Sequence, residues 1–357
     1  ARRDLAKLKK EKIDCLIIDE AQKIKNPNTE TSKAIKSLKA KYKIALSGTP
    51  VENNLSELWS IFDFALPKYL RTLKDFQKNY AKDIEIKKDR IKIEKLKKIT
   101  APFMLRRLKT DKNIAPDLPQ KIIIDEYSTM TKEQAGLYQS LVDESFKMMA
   151  DEENTGALVL KLIISLKQIC NHPRNFDKTG PIDPKLSGKA QQLLALLETI
   201  LQRNEKVLIF TQYTEMGDIL VKMIEDTLLT TPLFLKGSQT KKKRDEIVDS
   251  FQNDPKHKIF ILSLKAGGVG LNLTEANHVI HYDLWFNPAV ENQATDRAFR
   301  IGQKRNVSVY RFITKDSFEE KIDKMIKAKQ ELSNLSVSIG ENWLGKMDRE
   351  ELRGIFG

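Results

Sequence analysis

The stretch IDCLIIDEAQ, Ile13 to Gln22, decides how the rest of the chain is read. An apolar run of that length predicts a fully buried strand, and the run delivers two adjacent carboxylates, Asp19 and Glu20, where the strand ends. In open α/β sheets ligands sit beyond the carboxyl ends of strands, so an Asp there can hold a magnesium ion and its Glu neighbour can orient a water. A solvated strand terminus is the plainer alternative. The other half of a nucleotide-hydrolysing site is a glycine-rich loop ending in Gly-Lys-Ser or Gly-Lys-Thr, and it belongs upstream. Only twelve residues precede Ile13, so the chain is expected to start late relative to such a site.

Composition narrows the classes. A chain of 357 residues, 40% hydrophobic, has room for two domains with insertions. No apolar stretch approaches the length that spans a bilayer, which argues against a membrane protein. The 62 Lys and Arg against 49 Asp and Glu leave +13, which suits a polyanionic partner; a Lys-rich surface kept soluble by repulsion explains the same charge. Two cysteines, Cys15 and Cys170, argue against a disulfide framework and fit a reducing compartment. Cys170 and His172 in LKQICNHP fall short of the four ligands of a structural zinc site, so packing is the expected fate of that thiol.

Strand and helix patterns alternate from the start: CLIIDE, the helix TSKAIKSLKA, the strand YKIALS and the helix NLSELWSIFDFA, as in a parallel sheet covered by helices. After Pro67 the texture turns to Lys-rich helical segments, including KDRIKIEKLKKIT, until the strand QKIIIDEYS. A second helical tract runs from Thr131 through ALVLKLIISLKQIC to Pro173, and the Gly- and Pro-dense DKTGPIDPKLSG marks a boundary. Alternation then resumes. KAQQLLALLETILQR has an apolar face at Leu193, Leu197, Ile200 and Leu201, followed by strands KVLIFTQ, PLFLKG, KIFILSL, HVIHYD and VSVYRFIT. The tail SFEEKIDKMIKAKQELSNLSV reads as one long helix of mixed charge.

Three further segments carry candidate chemistry. In LSGTP, Leu46 to Pro50, Ser47 and Thr49 stand at a second strand end and can hydrogen-bond the carboxylates or a neighbouring domain; a capped turn is the alternative. In SLKAGGVGLNLT, Gly267, Gly268 and Gly270 permit close backbone approach to a phosphate and Lys265 adds charge. In ENQATDRAFRIGQ, Glu291 to Gln303, a helix is expected to present Arg297 and Arg300 on one face, where they can reach a γ-phosphate.

Taken in this order, and together with APFMLRRLKTD, LPQK, LKQICNHP, VLIFTQY and DLWFNPAVENQATDRAFRIGQ, the segments resemble the Swi/Snf family of DNA-dependent ATPases, over nearly the whole chain. The resemblance implies an α/β fold of two RecA-like lobes with helical insertions, a P-loop NTPase-type architecture. It places the end of the first lobe at residues 1–66, a helical insertion and linker at 67–118, a strand entering the second lobe at 119–130, a second insertion at 131–185, the second lobe at 186–316, and a C-terminal helix packing back at 317–357. It implies ATP and Mg2+ as cofactors. Asp19 would hold magnesium through water and Glu20 would activate the attacking water. Arg297 and Arg300 would be arginine fingers, with Gln293 and Gly270 near the nucleotide. Gln22, Ser47 and Thr49 would couple hydrolysis to lobe movement. Lys265, Gly237, Ser238 and Phe286 would touch double-stranded DNA, giving sequence-independent, salt-sensitive binding.

Three departures stand out. Gln22 replaces the His of related helicases, Phe286 stands where the family usually has a second Trp, and the phosphate loop is absent. LSGKA, Leu186 to Ala190, lacks the earlier glycine and the following Ser or Thr, so it is no substitute. The expectation is an ATP-driven duplex-DNA translocase, inactive without its phosphate loop, acting against RNA polymerase or another DNA-bound protein. Its expected place is the nucleoid in a prokaryote or the nucleus in a eukaryote. A non-hydrolytic DNA-binding scaffold and an RNA helicase are the alternatives.

Overall fold

A short helix α1 (Leu5–Leu8) leads into β1 (Ile13–Ile18), which pairs in parallel with β2 (Ala40–Ala45) in the register Ile13 to Ala40 and Ile18 to Ala45. The computed structural model describes residues 4–48, 54–87, 89–105, 107, 118–150, 156–263, 271–332 and 349–356. They fall into two units, Ala1–Arg107 with Lys329–Gly340, and Leu108–Ala328 with Glu341–Gly357.

In the first unit a 3-10 turn (Ala21–Ile24) follows β1, and α2 (Glu30–Lys36) precedes β2; Thr29 caps α2 by accepting from Ser32 N–H at 3.2 Å. The fully buried strand expected at Ile13–Ile18 is corrected: β1 is at most half-buried, and Cys15 is exposed. Among the described residues this sheet has two strands, and one of its faces is uncovered, with Ile17 and Tyr42 57% and 59% exposed. The core lies instead around α3 (Leu55–Ala65). It packs against α4 (Leu73–Phe76), a π turn (Gln77–Ala81), α5 (Lys82–Lys87) and α6 (Arg90–Thr100) through Leu58, Trp59, Phe62, Phe76, Ile84 and Leu96.

The second unit is built on a six-stranded, all-parallel sheet. Its strands are β3 (Lys121–Ser128), β4 (Val207–Thr211), β5 (Leu233–Leu235), β6 (Ile259–Ser263), β7 (His278–His281) and β8 (Val307–Thr314), in the order β3-β8-β7-β4-β6-β5. The unbroken apolar runs VLIF and IFIL are what such strands require, because both faces are covered. Odd residues Val207, Ile209, Ile259 and Ile261 enter one core with α10 (Gly188–Gln202) and α11 (Thr214–Leu228). Even residues Leu208, Phe210, Phe260 and Leu262 enter another with α12 (Lys241–Asn253) and the end of α13 (Pro288–Thr295). The predicted face of α10 holds: Leu193, Leu197 and Ile200 are buried with Leu201 at the edge, each fully buried Leu being worth about 1.5–3 kcal/mol.

A third apolar cluster joins α7 (Lys132–Ala150) and α8 (Gly156–Asn171) to α14 (Phe318–Leu332) and α15 (Arg349–Phe356). The short α9 (Pro173–Asp177) follows α8, with Pro173 at its first position, where a missing N–H costs nothing. No helix among the described residues is long and apolar enough to cross a membrane.

Candidate functional site

The ends of β1 and β2 are laced together: Leu46 N–H donates to Ile18 O and Ala21 N–H to Leu46 O, both at 2.8 Å. Between them Glu20 adopts a left-handed conformation, φ 54° and ψ 57°, which costs a non-glycine residue about 1–3 kcal/mol. The turn is nonetheless held firmly, because Ser60 and Ser32 hydroxyls both donate to Ile24 O, at 2.7 and 3.3 Å. Asp19 is exposed, and its Oδ1 accepts the Glu20 N–H at 2.9 Å.

A relay links the two motifs. Gln22 Nε2 donates to Glu20 Oε2, and Ser47 Oγ donates to Gln22 Oε1 at 2.9 Å. An amide can donate to a carboxylate and accept from a hydroxyl at once, so Gln22 serves both neighbours. The structure therefore brings Asp19, Glu20, Gln22 and Ser47 together; Thr49 lies outside the described residues.

In the second unit the expected helix face is corrected. Helix α13 ends at Thr295, so Arg297 and Arg300 stand in the turn that follows, Arg297 buried and Arg300 exposed. Ala294, Ala298 and Phe299 enter the core, and past Thr295 the backbone bonds shorten to i−3, from Arg297 N–H to Ala294 O and from Ala298 N–H to Thr295 O. Arg300 Nη1 donates to Leu271 O at 3.0 Å, and Leu273 N–H donates to Arg297 O at 2.9 Å. The arginine turn thus adjoins the flank of the glycine-rich segment, whose Lys265, Gly267, Gly268 and Gly270 lie outside the described residues. Gln293 is exposed on the last turn of α13.

Supports for this turn escaped the sequence reading. Gln303 Nε2 donates to Thr274 O, Ala276 O and Ala298 O at 2.9, 2.8 and 3.2 Å, stapling both segments. Beneath α13, Arg311 binds Glu291, Asp125 and Asp323 at 3.1, 2.8 and 2.6 Å. Burial opposes the charge of Arg311, but Glu291, Asp323 and Asp125 more than offset it and keep the guanidinium charged. Glu291 also accepts Trp285 N–H at 2.9 Å. Buried His281 meets Thr295 Oγ1 at 2.9 Å; burial, with Arg311 and Lys121 nearby, lowers its pKa to about 3 and keeps it neutral.

A further strand-end carboxylate is structural. Asp283, fully buried past β7, accepts from Thr211 Oγ1 at 2.6 Å, Gln212 N–H at 2.9 Å and Asn171 Nδ2 at 3.2 Å. The Asn171 carbonyl accepts from Ser187 and Tyr282 hydroxyls at 2.7 and 2.9 Å. Lys189 of LSGKA ion-pairs with Glu319 at 2.8 Å, both side chains 0% exposed, so it is no phosphate ligand. Gly188 starts α10 against Thr129, whose carbonyl oxygen would lie 1.9 Å from any Cβ there. His172 caps α9 through Nδ1 and meets Asp183 O through Nε2, and burial pushes the Cys170 thiol up, so both are packing residues. No group of His, Cys, Asp and Glu among the described residues is placed to hold a metal by itself.

Of the expected DNA contacts, Gly237 and Ser238 form an exposed turn after β5. Phe286 is corrected: its ring is 2% exposed, 4.0 Å from Lys167 Nζ and edge-on to Phe318 at 5.8 Å. A phenyl ring has no polar atom to keep it at the surface, and the cluster of α8 and α14 takes it in.

With this geometry in view, residues 1–175 match the SNF2-related domain and residues 188–302 the helicase conserved C-terminal domain. YwqA of Bacillus subtilis, which bears the name ATP-dependent helicase/translocase, is 46% identical over 96% of this chain and 37% of its own length. The DNA repair and recombination protein RAD26 of Saccharomyces cerevisiae is 39% identical over 92% of this chain and 32% of its length. The chain spans about a third of the length of the curated relatives it matches. Among solved structures, the Sulfolobus solfataricus SWI2/SNF2 ATPase core in complex with dsDNA is 42% identical, with a TM-score of 0.60 over 99% of this chain and 75% of that one. The parallel sheets and strand-end motifs are those of RecA-like lobes, and the chain belongs to the SWI2/SNF2 ATPase family.

Proposed function

We propose that the complete protein is an ATP-driven motor that translocates on double-stranded DNA and remodels protein–DNA complexes, displacing RNA polymerase or another bound protein. The observation that carries this reading is the strained Glu20 joined through Gln22 to Ser47, a carboxylate wired to the next strand end. Glu20 takes the proton of the attacking water, and Gln22 and Ser47 pass the state of that site to the neighbouring chain. Arg297 and Arg300 offset charge on the transferring phosphoryl group, with Gln293 and Gly270 near the nucleotide. Mg2+, when bound with ATP, would neutralise phosphate charge. The residues fit such an ion: magnesium keeps several waters and needs only one or two carboxylates besides the phosphates, and exposed Asp19 offers hard oxygens.

Duplex DNA is assigned to Lys265 and to the Gly237–Ser238 turn. Support comes from the next element, where Lys241, Lys242 and Lys243 crowd the first turn of α12, against its dipole, an arrangement that a phosphate backbone relieves. The work of such a motor is done where the DNA is, in the nucleoid or the nucleus. An ATPase assay on the complete polypeptide with duplex DNA, single-stranded DNA and RNA tests the proposal. Duplex should stimulate most, and Glu20→Gln should lower the rate by about 10²–10⁴-fold while nucleotide binding persists. Stimulation by RNA alone, or none by any nucleic acid, would overturn it.

A further inference from the structure

The positive charge of the chain is concentrated. Between Lys68 and Lys98 twelve Lys and Arg face five Asp and Glu, so 31 residues hold +7 of the total +13. They build the helical hairpin of α4, the π turn, α5 and α6, which turns Phe76, Ala81, Ile84 and Leu96 inward against α3.

All five acids are engaged close by. Asp75 accepts from Thr72 Oγ1 at 2.7 Å, Glu85 from Leu55 N–H at 2.6 Å, and Asp89 caps α6 by accepting from Ile91 and Lys92 N–H. Asp83 pairs with Lys87 and Lys92, and Glu94 with Lys97. Lys88 lies outside the described residues, and eight cations are left over, all exposed and, among the described residues, outside any salt bridge: Lys68 and Arg71 before the hairpin, and Lys74, Lys78, Lys82, Arg90, Lys95 and Lys98 on it. Lys74, Lys78 and Lys82 recur every fourth residue over about 12 Å of helix. One DNA strand presents three to four phosphates over that length, at about 3.4 Å each.

We propose that the outer face of this hairpin is a second contact for duplex DNA, gripping phosphates with residues other than the motif residues Lys265, Gly237 and Ser238. It rests on the duplex-DNA reading above. The six cations on the hairpin make no salt bridge among the described residues, and the charge of the segment stays at +7 with every acid counted, so a phosphate backbone supplies the missing counter-charge with release of condensed counterions. Exposed Ile86 and Ile91, the latter 82% exposed, make an anionic membrane the rival occupant.

The test titrates this chain with a labelled 40-base-pair duplex across about 50–250 mM salt, beside a variant carrying Lys74→Gln, Lys78→Gln, Lys82→Gln, Lys95→Gln and Lys98→Gln. A second variant carries Arg at the same five positions. Each phosphate contact adds about 0.9 to the slope of log K against log salt, so the Gln variant, with five cations removed, should lose up to about 4.5 from that slope and at least tenfold in affinity. The Arg variant should bind as the parent does. A parent that binds while the Gln variant keeps the same slope and affinity overturns this contact alone. A parent that binds no duplex overturns the DNA reading, and this contact with it. Loss of binding to phosphatidylserine vesicles with duplex binding untouched would make the face a membrane contact and also overturn the proposal.

Discussion

Replacing Lys189 by methionine separates two readings of the Gly188-Lys189 pair. A phosphate-binding lysine is dispensable to folding, whereas Lys189 here is a buried cation whose Nζ lies 3.0 and 2.8 Å from the two oxygens of Glu319, with Asn171 Oδ1 at 3.4 Å. Methionine fills nearly the same volume, so little cavity is left. The cost comes from Glu319, which is buried from solvent and would keep the Thr314 N–H at 2.9 Å as a donor but lose its counter-charge. Breaking a buried pair by removing one partner costs about 3–5 kcal/mol. With a urea m-value of about 3 kcal/mol/M, the midpoint should fall by about 1–1.7 M. Urea titrations followed by far-ultraviolet circular dichroism measure it. The double variant Lys189→Met/Glu319→Leu removes both charges and should recover most of the loss, since apolar replacements of buried pairs are often neutral. A midpoint within about 0.3 M of the parent, or a double variant no better than the single one, would refute the argument.

Three further outcomes are expected. Gly188→Ala must move the start of α10 away from Thr129 O and should destabilise by more than about 2 kcal/mol in the same titration, because the obstacle is backbone. His281 is held neutral, with its folded pKa lowered to about 3 against about 6.5 when unfolded; its contribution is complete above pH 6.5 and is lost as pH falls towards 3. Stability should therefore drop by up to about 1.4 kcal/mol per pH unit in that window, and His281→Gln should flatten the profile measured by thermal melts between pH 4 and 7. Gln22→Leu cuts the relay between Glu20 and Ser47, and in the complete polypeptide it should lower duplex-stimulated hydrolysis at least tenfold while nucleotide affinity stays within about twofold; a parent-like rate would show that the relay is idle.

Local pattern made much of this molecule legible. The apolar runs VLIF, IFIL and HVIH became buried parallel strands, and the spacing of Leu193, Leu197 and Ile200 became the inner face of α10. The Asp19-Glu20 pair does stand at a strand end beside Ser47. Elsewhere the same signals misled. The apolar run at Ile13 became a strand with exposed residues, because periodicity reports what a strand can bury and not whether anything covers it. Phe286 sits next to Trp285 in a segment rich in polar neighbours, yet it lies under Lys167. The arginine segment is helical by composition, but the helix stops at Thr295 and Arg297 and Arg300 fall in the turn beyond it.

By itself the sequence determined the strands, most helices, the order of the motifs and the family, since each rests on residues within a few positions of one another. Tertiary structure decided which polar groups are built into the framework. Asp19 and Asp283 both end apolar strands, and only the fold sets the second against Asn171, 112 residues away. Lys189 meets Glu319 across 130 residues, and Arg311 meets Asp125 across 186. A buried charge must find its partner wherever the chain returns, and no local spacing encodes that return.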